Sequence, residues 1–274
     1  MKVLVVGASG KVGSEVVRLL KAEGVQVRET TSQKSKVSGQ DKVYLDLTTG
    51  EGIKAAFEGI DKAFLLSPPG FADQYAMLSP LIQEAKRKGL KKVVLMTAMG
   101  ANAVETAPFR RAEIELEKSG LAYNIVRPNW FMQNFSTLWA EGVRSGRVEL
   151  PAGTAKTSFI DAQDISEVVV KLLTTSKFDN RDFDITGPAA LTHAEVTYQI
   201  AKKIGKPVAY ADLDPNVMLQ RFLAGGVPKD YAEFLIMIFG FLAQGYNERQ
   251  TDNVKLITGK QARSFDQFLT SVQF

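Results

Sequence analysis

The stretch Val3-Leu4-Val5-Val6-Gly7-Ala8-Ser9-Gly10-Lys11-Val12-Gly13 decides the fold. Val3–Val6 is a continuous apolar run, the pattern of a strand buried on both faces. Val12, Val16, Leu19 and Leu20 then fall on one face of a helix that Gly24 stops. Between strand and helix stand three glycines in a G-x-x-G-x-x-G spacing. The first two permit a tight turn and a close approach of backbone N–H groups to a bound anion; the third lets helix and strand pack closely. A glycine trio by itself is a weak signal. Strand, trio and amphipathic helix in that order are the context a dinucleotide pyrophosphate requires. Gly7, Ser9, Gly10, Lys11, Val12 and Gly13 are therefore the candidate phosphate-loop residues.

Outward from this stretch, short β-branched runs alternate with helical-period segments. Strands are expected over Val25–Thr30, Val43–Leu45, Ala63–Leu66, Val93–Met96 and Tyr123–Val126. Helices are expected over Gln74–Lys88, where Leu78, Leu81, Ile82 and Ala85 form a stripe, and over Pro108–Ser119. This alternation predicts an α/β doubly wound parallel sheet, a Rossmann domain, over residues 1–150. Residues 151–274 read as a smaller, mostly helical α/β lobe joined without a linker and packed over the carboxyl ends of the strands. Sheet elements recur around 158–185: a strand at Ser158-Phe159-Ile160, a helix carrying Ile165, Val168, Val169, Leu172 and Leu173, and a strand at Phe183-Asp184-Ile185.

Composition narrows the chemistry. The chain has 274 residues with 45% hydrophobic and 23% charged side chains, no cysteine, one histidine and a net charge of +4. Without cysteine there is no disulfide, thiolate nucleophile or Cys-type metal site, and His193 alone cannot build a multi-histidine one, so no metal is expected. The charges are interspersed, and Lys86-Arg87-Lys88 reads as a solvated helix end rather than a nucleic-acid surface. The first apolar run is too short for a signal peptide or a membrane span, which makes a cytoplasmic protein the simplest inference.

The end of the second strand selects the cofactor. Its sequence is Val27-Arg28-Glu29-Thr30-Thr31-Ser32-Gln33-Lys34. If the strand ends at Thr30 or Thr31, an adenosine 2′-phosphate meets Thr31, Ser32, Lys34 and also Arg28 or Lys11, which favours NADP(H). If it ends at Glu29, the carboxylate favours NAD(H) instead. The first is the preferred reading.

Taken with Asp46-Leu47, Leu66-Ser67-Pro68-Pro69, Glu113-x-x-Leu116-x-x-Ser119-Gly120-Leu121, Arg127-Pro128-Asn129-Trp130-Phe131-x-x-Asn134, Phe159-Ile160-Asp161-x-x-Asp164-Ile165 and Thr258-Gly259-Lys260-x-x-Arg263-Ser264-Phe265, the chain resembles an atypical short-chain dehydrogenase/reductase. More narrowly it is similar to the NmrA-like family, which includes NADPH-dependent quinone reductases, triphenylmethane-dye reductases and redox-sensing regulators. The resemblance covers essentially the whole chain. It implies that Asp46 and Leu47 flank the adenine, and that Ser67, Pro68 and Pro69 line the nicotinamide ribose. It further implies Thr97 and Ala98 near the nicotinamide, Pro128 and Asn129 completing that pocket, and Trp130 and Phe131 on a substrate wall. Phe71 and Tyr75, after the fourth strand, are candidates for the same wall.

One departure is informative. The wider superfamily carries Tyr-x-x-x-Lys on the helix after the fifth strand, where lysine lowers the phenol pKa for proton exchange. Here those positions read as Phe109 and Glu113, and no catalytic residue is assigned. Tyr198-x-x-x-Lys202 lies far downstream and reads as a chance match. Thr192-His193-Ala194-Glu195 reads as a capping box with His193 on an exposed first turn. Asp161 and Asp164 read as capping residues, and Phe222, Phe234, Phe239 and Phe241 mostly as core. The expected activity is hydride transfer from NADPH to a planar electron-poor small molecule such as a quinone, a dye or an imine. The alternative is a non-catalytic NADP(H)-binding redox sensor acting through a protein partner.

Overall fold

The computed structural model describes residues 1–39 and 41–274. In chain order its elements are β1 (Lys2–Val5), α1 (Lys11–Ala22), β2 (Gln26–Thr31), β3 (Lys42–Tyr44), α2 (Ile53–Ala56), β4 (Lys62–Leu65), α3 (Gln74–Arg87), β5 (Lys92–Met96), α4 (Pro108–Glu117) and β6 (Ala122–Pro128). There follow α5 (Ala140–Ser145), β7 (Arg147–Leu150), β8 (Lys156–Thr157), α6 (Ala162–Thr174), β9 (Arg181–Ile185), β10 (Leu191–Thr192) and α7 (His193–Ile204). The chain closes with β11 (Ala209–Asp212), α8 (Pro215–Ala224), α9 (Lys229–Ala243), α10 (Asn253–Thr258) and α11 (Phe265–Ser271).

The first compact unit comprises Met1–Pro69, Asp73–Pro128 and Gln163–Asp184. Its seven-stranded sheet has the order β3-β2-β1-β4-β5-β6-β9. The pairs from β3 through β6 are parallel, with Val5 opposite Glu29 and Phe64, and Leu95 opposite Ile125. Val3, Leu4 and Val5 have no exposed surface, as a central strand covered on both faces requires. On one face Leu4, Ala63, Leu65, Val93 and Leu95 pack with Leu78, Leu81 and Ile82 of α3 and Ala112 and Leu116 of α4. Elsewhere in the unit Ser166 of α6 donates to the Val12 carbonyl of α1 at 3.2 Å. The strand order reverses between β1 and β4, the switch point outside whose carboxyl ends α/β sheets bind ligands.

This sheet is the doubly wound one expected, with strand limits displaced by about a residue. The domain limit differs more. The sequence reading placed it near residue 150, whereas the first compact unit is left at Pro128 and re-entered at Gln163. Two lysines, Lys62 half-buried and Lys92 buried, show why α6 and β9 belong there: at the amino ends of β4 and β5, Lys62 donates to the Leu173 carbonyl at 2.6 Å, and Lys92 to the Thr175 carbonyl at 2.9 Å and to Asp179. They satisfy carbonyls at the end of α6 and set positive charge against its negative pole.

The second unit comprises Gly70–Ala72, Asn129–Ala162 and Ile185–Phe274. It pairs β7 with β11 in parallel and β8 with β10 antiparallel, and is otherwise helical. Its core is aromatic, built on Phe135, Trp139, Phe159, Phe239, Phe265 and Phe268. The strand expected at Ser158–Ile160 does not form. Ser158 instead donates its N–H to Asn247 O at 3.0 Å and its hydroxyl to Arg249 O at 2.7 Å, leaving Ile160 a single bridge to Phe131. Of the late phenylalanines expected in the core, only Phe239 is fully buried; Phe222 and Phe234 are half-buried and Phe241 is exposed. The apolar residues of α9 run around more than one face, so packing on one side cannot cover them all. Among the described residues no helix is long and apolar enough to cross a membrane.

Candidate functional site

The glycine loop has the geometry its sequence required. Gly7 turns with φ +71°, a conformation that disfavours residues bearing a Cβ, and its carbonyl accepts from Gly10 N–H at 2.9 Å. A Cβ on Gly13 would stand 2.1 Å from the Gly7 oxygen, so helix and strand can meet only there without a side chain. Gly10 is different. It is the N-cap of α1 with an extended backbone, and a Cβ on it would meet only the Gly7 oxygen, at 3.3 Å. No side chain caps α1 and no acidic residue stands in its first turn, whereas Asp73, Thr192, Asp214 and Ser264 cap α3, α7, α8 and α11. The N–H groups of the first turn thus have no side-chain acceptor, and the helix dipole adds positive potential there. The loop fits a pyrophosphate. Ser9 and Lys11 are exposed beside it, and Val12 offers its backbone only, its side chain being buried.

Thr30 is a supporting residue the sequence reading passed over. Its hydroxyl accepts from Gly7 N–H at 3.2 Å, pinning the turn to β2. The strand continues to Thr31, which is buried and accepts from Gln33 N–H at 3.2 Å. Glu29 lies two residues back, paired with Lys21 at 2.6 Å and Lys42 at 3.8 Å. Arg28 is withdrawn from any phosphate role, because its guanidinium donates to the carbonyls of Ala55, Ala56 and Glu58 at the end of α2. Ser32 and Lys34 are exposed after the strand; Lys34 pairs with Glu51 at 2.6 Å and lies over the Tyr44 ring. One oxygen of Asp46 accepts from Thr48 N–H and hydroxyl at 2.8 and 2.6 Å, which holds its carboxyl below the ordinary range and shapes the turn after β3. Leu47 packs against the core.

With the adenosine ribose read at the end of β2, the other half of a dinucleotide would extend over β4 and β5. There Ser67 and Pro68 are half-buried and Pro69 is exposed, and Leu66 lies close against Gly7. Thr97 and Ala98 follow β5, and Pro128 O at the end of β6 accepts from Met99 N–H at 3.0 Å. Phe109 packs on the core, but Glu113 is not an idle substitution. It is fully buried and accepts from the Thr97 hydroxyl at 2.7 Å, from Arg127 Nε and Nη2 at 2.8 Å each, and from Arg110 at 3.1 Å. Arg127 in turn reaches Asp182 and Asp184 of β9. Burial pulls the Arg127 pKa down, but the bonds and charge of Glu113 and Asp182 outweigh it and hold it above its ordinary value. Charge-assisted bonds of this kind contribute about 1.5–3 kcal/mol each, and an unpaired buried charge costs more. Arg127, the one charge in β6, was the signal available for this network, since a charge in a buried strand demands a buried partner.

In the second unit Asn129 spends its whole side chain internally. Nδ2 donates to Ser158 Oγ and Asn247 O at 2.7 and 2.8 Å, and Oδ1 accepts from Trp130 N–H and Asn247 Nδ2 at 2.9 Å each. No polar atom of that amide is left for a cofactor, so Asn129 acts by fixing the chain around it. Trp130 is half-buried and stacked on Trp139 and Phe239, at centroid distances of 5.8 and 5.3 Å. Phe131 is half-buried and Phe71 exposed. Tyr75, in the first unit, lies under the Arg111 guanidinium 3.8 Å from its ring centroid. Tyr198 is 62% exposed on the outside of α7 with Lys202 over its ring, not part of a site. The Thr192 capping box forms, yet His193 is buried rather than exposed, ringed by Phe135, Trp139, Phe159 and Tyr210. Its two nitrogens have no hydrogen-bond partner, and burial pushes it down to about 4. Among the described residues no group of three or more His, Asp or Glu could hold a metal ion.

The model of the NmrA-like family matches residues 1–269. The chain belongs to the NmrA-like family. A member similar to it is an NAD(P)H azoreductase of Xenophilus azovorans, 32% identical over 97% of this chain and 96% of the relative. Another is an uncharacterized oxidoreductase of Bacillus subtilis, 31% identical over 97% of this chain and 93% of the relative. Among solved structures, the triphenylmethane reductase of Citrobacter sp. complexed with NADP(H) superposes with a TM-score of 0.83 at 18% identity, covering 99% of this chain and 100% of that one. An NADPH-dependent quinone oxidoreductase of Escherichia coli complexed with NADPH gives 0.82 at 18% identity over 98% and 99%. At these identities the two structures speak for the fold of this NmrA-like chain.

Proposed function

We propose that this NmrA-like protein is an NAD(P)H-dependent reductase that prefers NADPH and passes hydride to a planar, electron-poor acceptor of the quinone, azo-dye, triarylmethane-dye or imine class. The observation that carries the reading is the uncapped amino end of α1 behind Gly10, where backbone N–H groups without side-chain acceptors border an exposed glycine. The ending of β2 at Thr31, with Ser32 and Lys34 beyond it and Glu29 engaged by lysines, supports NADPH over NADH. The azoreductase relative supports an acceptor with a conjugated, reducible system.

Bound NADPH supplies the hydride. The chain's own residues hold and orient the nucleotide. Phe109 has no proton to exchange, and Glu113 is enclosed by donors. An acceptor whose reduced anion takes its proton from water suits such a site, because positioning alone then lowers the barrier.

The test is direct. The purified protein is titrated with NADPH and NADH, then NADPH oxidation is followed with a quinone, an azo dye, a triarylmethane dye and an imine. Tighter NADPH binding and turnover of at least one acceptor are expected. Firm NADPH binding without oxidation by any of the four would overturn the reductase reading and leave a nucleotide-sensing protein in its place.

A further inference from the structure

At the carboxyl end of β5 the direction of one proton is fixed. Thr97 is 5% exposed, and its hydroxyl donates to Glu113 Oε1 at 2.7 Å. The other groups on Glu113, Arg127 Nε and Nη2 and Arg110 Nη1, are likewise donors with no acceptor capacity. The Glu113 oxygens are all acceptors here, and the Thr97 oxygen is left with lone pairs alone. Turning Thr97 round to donate elsewhere would break its bond to a buried carboxylate. Arg127 keeps Glu113 from moving with it, since its fork holds both carboxylate oxygens while its far nitrogen is tied to Asp182.

We propose that Glu113, aligned by Arg127, is a positioning residue that makes Thr97 a hydrogen-bond acceptor for an N–H or O–H group at the nicotinamide end of the bound nucleotide. The inference rests on the reductase reading for the placement of that nucleotide, and it denies Thr97 the role of proton donor. The donor is the carboxamide N–H of the cofactor or an N–H or O–H of the acceptor; a ribose hydroxyl, which 2′-phospho-ADP-ribose also carries, would show as equal weakening of both nucleotides.

The experiment compares the wild type with Thr97→Val, which keeps the shape and loses the oxygen, Thr97→Ser, which restores it, and Glu113→Gln, which puts hydrogens against donors. Each is titrated with NADPH and with 2′-phospho-ADP-ribose, the same nucleotide without its nicotinamide, and KM and kcat are measured with an acceptor. If the donor belongs to the cofactor, Thr97→Val weakens NADPH about three- to tenfold and leaves 2′-phospho-ADP-ribose unchanged. If it belongs to the acceptor, both nucleotides bind as before and KM rises by that factor at constant kcat. In either case Thr97→Ser restores the wild-type value and Glu113→Gln reproduces the loss. Equal weakening of both nucleotides, no change in any constant, a fall in kcat alone, or a folded Glu113→Gln protein that behaves as wild type each overturns the proposal. The threonine variants bury no new charge, so they decide its first half even if Glu113→Gln does not fold. Should no acceptor be reduced, the reductase reading falls, while loss of NADPH affinity alone still supports the cofactor arm and its absence refutes the proposal.

Discussion

Gly10 and Gly13 belong to one motif but carry different burdens, and substitution separates them. Gly10→Val adds a side chain at an exposed, extended N-cap where its Cβ meets only the Gly7 oxygen, at 3.3 Å, a cost of about 1 kcal/mol in stability. It also fills the path of the pyrophosphate, so NADPH affinity is expected to fall by about a hundredfold with little change in melting temperature. Gly13→Ala forces backbone apart and is expected to cost about 3 kcal/mol or more, read as a lower melting temperature. A Gly10→Val protein that binds NADPH normally would refute the loop assignment. His193 yields a second expectation. Folded, its imidazole is pushed down to about 4 by burial; unfolded, it titrates at the ordinary 6.5. Above that value neither state is protonated, and between the two the unfolded chain takes a proton the folded one refuses. Stability therefore falls as pH falls through this window, by up to about 3 kcal/mol from this residue at its lower end. Urea unfolding from about pH 7 to about pH 4 should show a shallower loss for His193→Phe, and parallel losses would contradict the assignment. The capping box at Thr192 was legible because it is written within four residues. The burial of His193 was not, because it depends on Phe135, Phe159 and Tyr210 arriving from three distant segments.

At the scale of elements, the turn leaving β2 sets which nucleotide fits. Thr31 closes the strand, and Glu29 is held by Lys21 and Lys42, so the first side chains beyond the strand are Ser32 and, a turn later, Lys34. Ser32→Asp is expected to shift the NADPH-to-NADH preference by about tenfold or more, because a carboxylate repels the 2′-phosphate and accepts from a 2′-hydroxyl. Binding titrations with both nucleotides check it; an unchanged ratio would move the phosphate away from this turn. The period of each apolar run was enough to identify β1, α1 and the other sheet elements. It was not enough for the Ser158 segment, whose apolar neighbours suggested a strand while its own polar atoms were bonded to Asn247 and Arg249. Nor was it enough for the site around α4. There Thr97, Glu113, Arg127 and Asp182 come from the turn after β5 and from α4, β6 and β9 and form one network, so the sequence shows only an odd glutamate and an odd arginine.

At the scale of the molecule, the first unit is discontinuous in sequence, and this limits what a fragment can do. A piece ending at residue 150 would contain the glycine loop, β1 through β6 and every residue proposed to hold the nucleotide. It would lack α6 and β9. Val168, Val169, Leu172 and Leu173 of α6 are almost wholly buried, so their loss would bare apolar surface on the sheet. Lys92 would lose Asp179 and the Thr175 carbonyl, Asn124 the carbonyls of Phe178 and Arg181, and Arg127 its two aspartates. A buried lysine left without its partner costs about 3–5 kcal/mol, a large share of the about 5–15 kcal/mol by which domains of this kind are stable, whereas Arg127 keeps Glu113. Residues 1–150 expressed alone are therefore expected to show no cooperative unfolding transition and no NADPH binding, although the nucleotide site is complete in their sequence. Adding NADPH should not rescue them, because binding stabilises only a fold that already forms. Circular dichroism melts and NADPH titration of the fragment beside the full chain decide the matter. A fragment that melts cooperatively and binds NADPH with the affinity of the full chain would mean that α6 and β9 belong to the unit without being needed to hold it together.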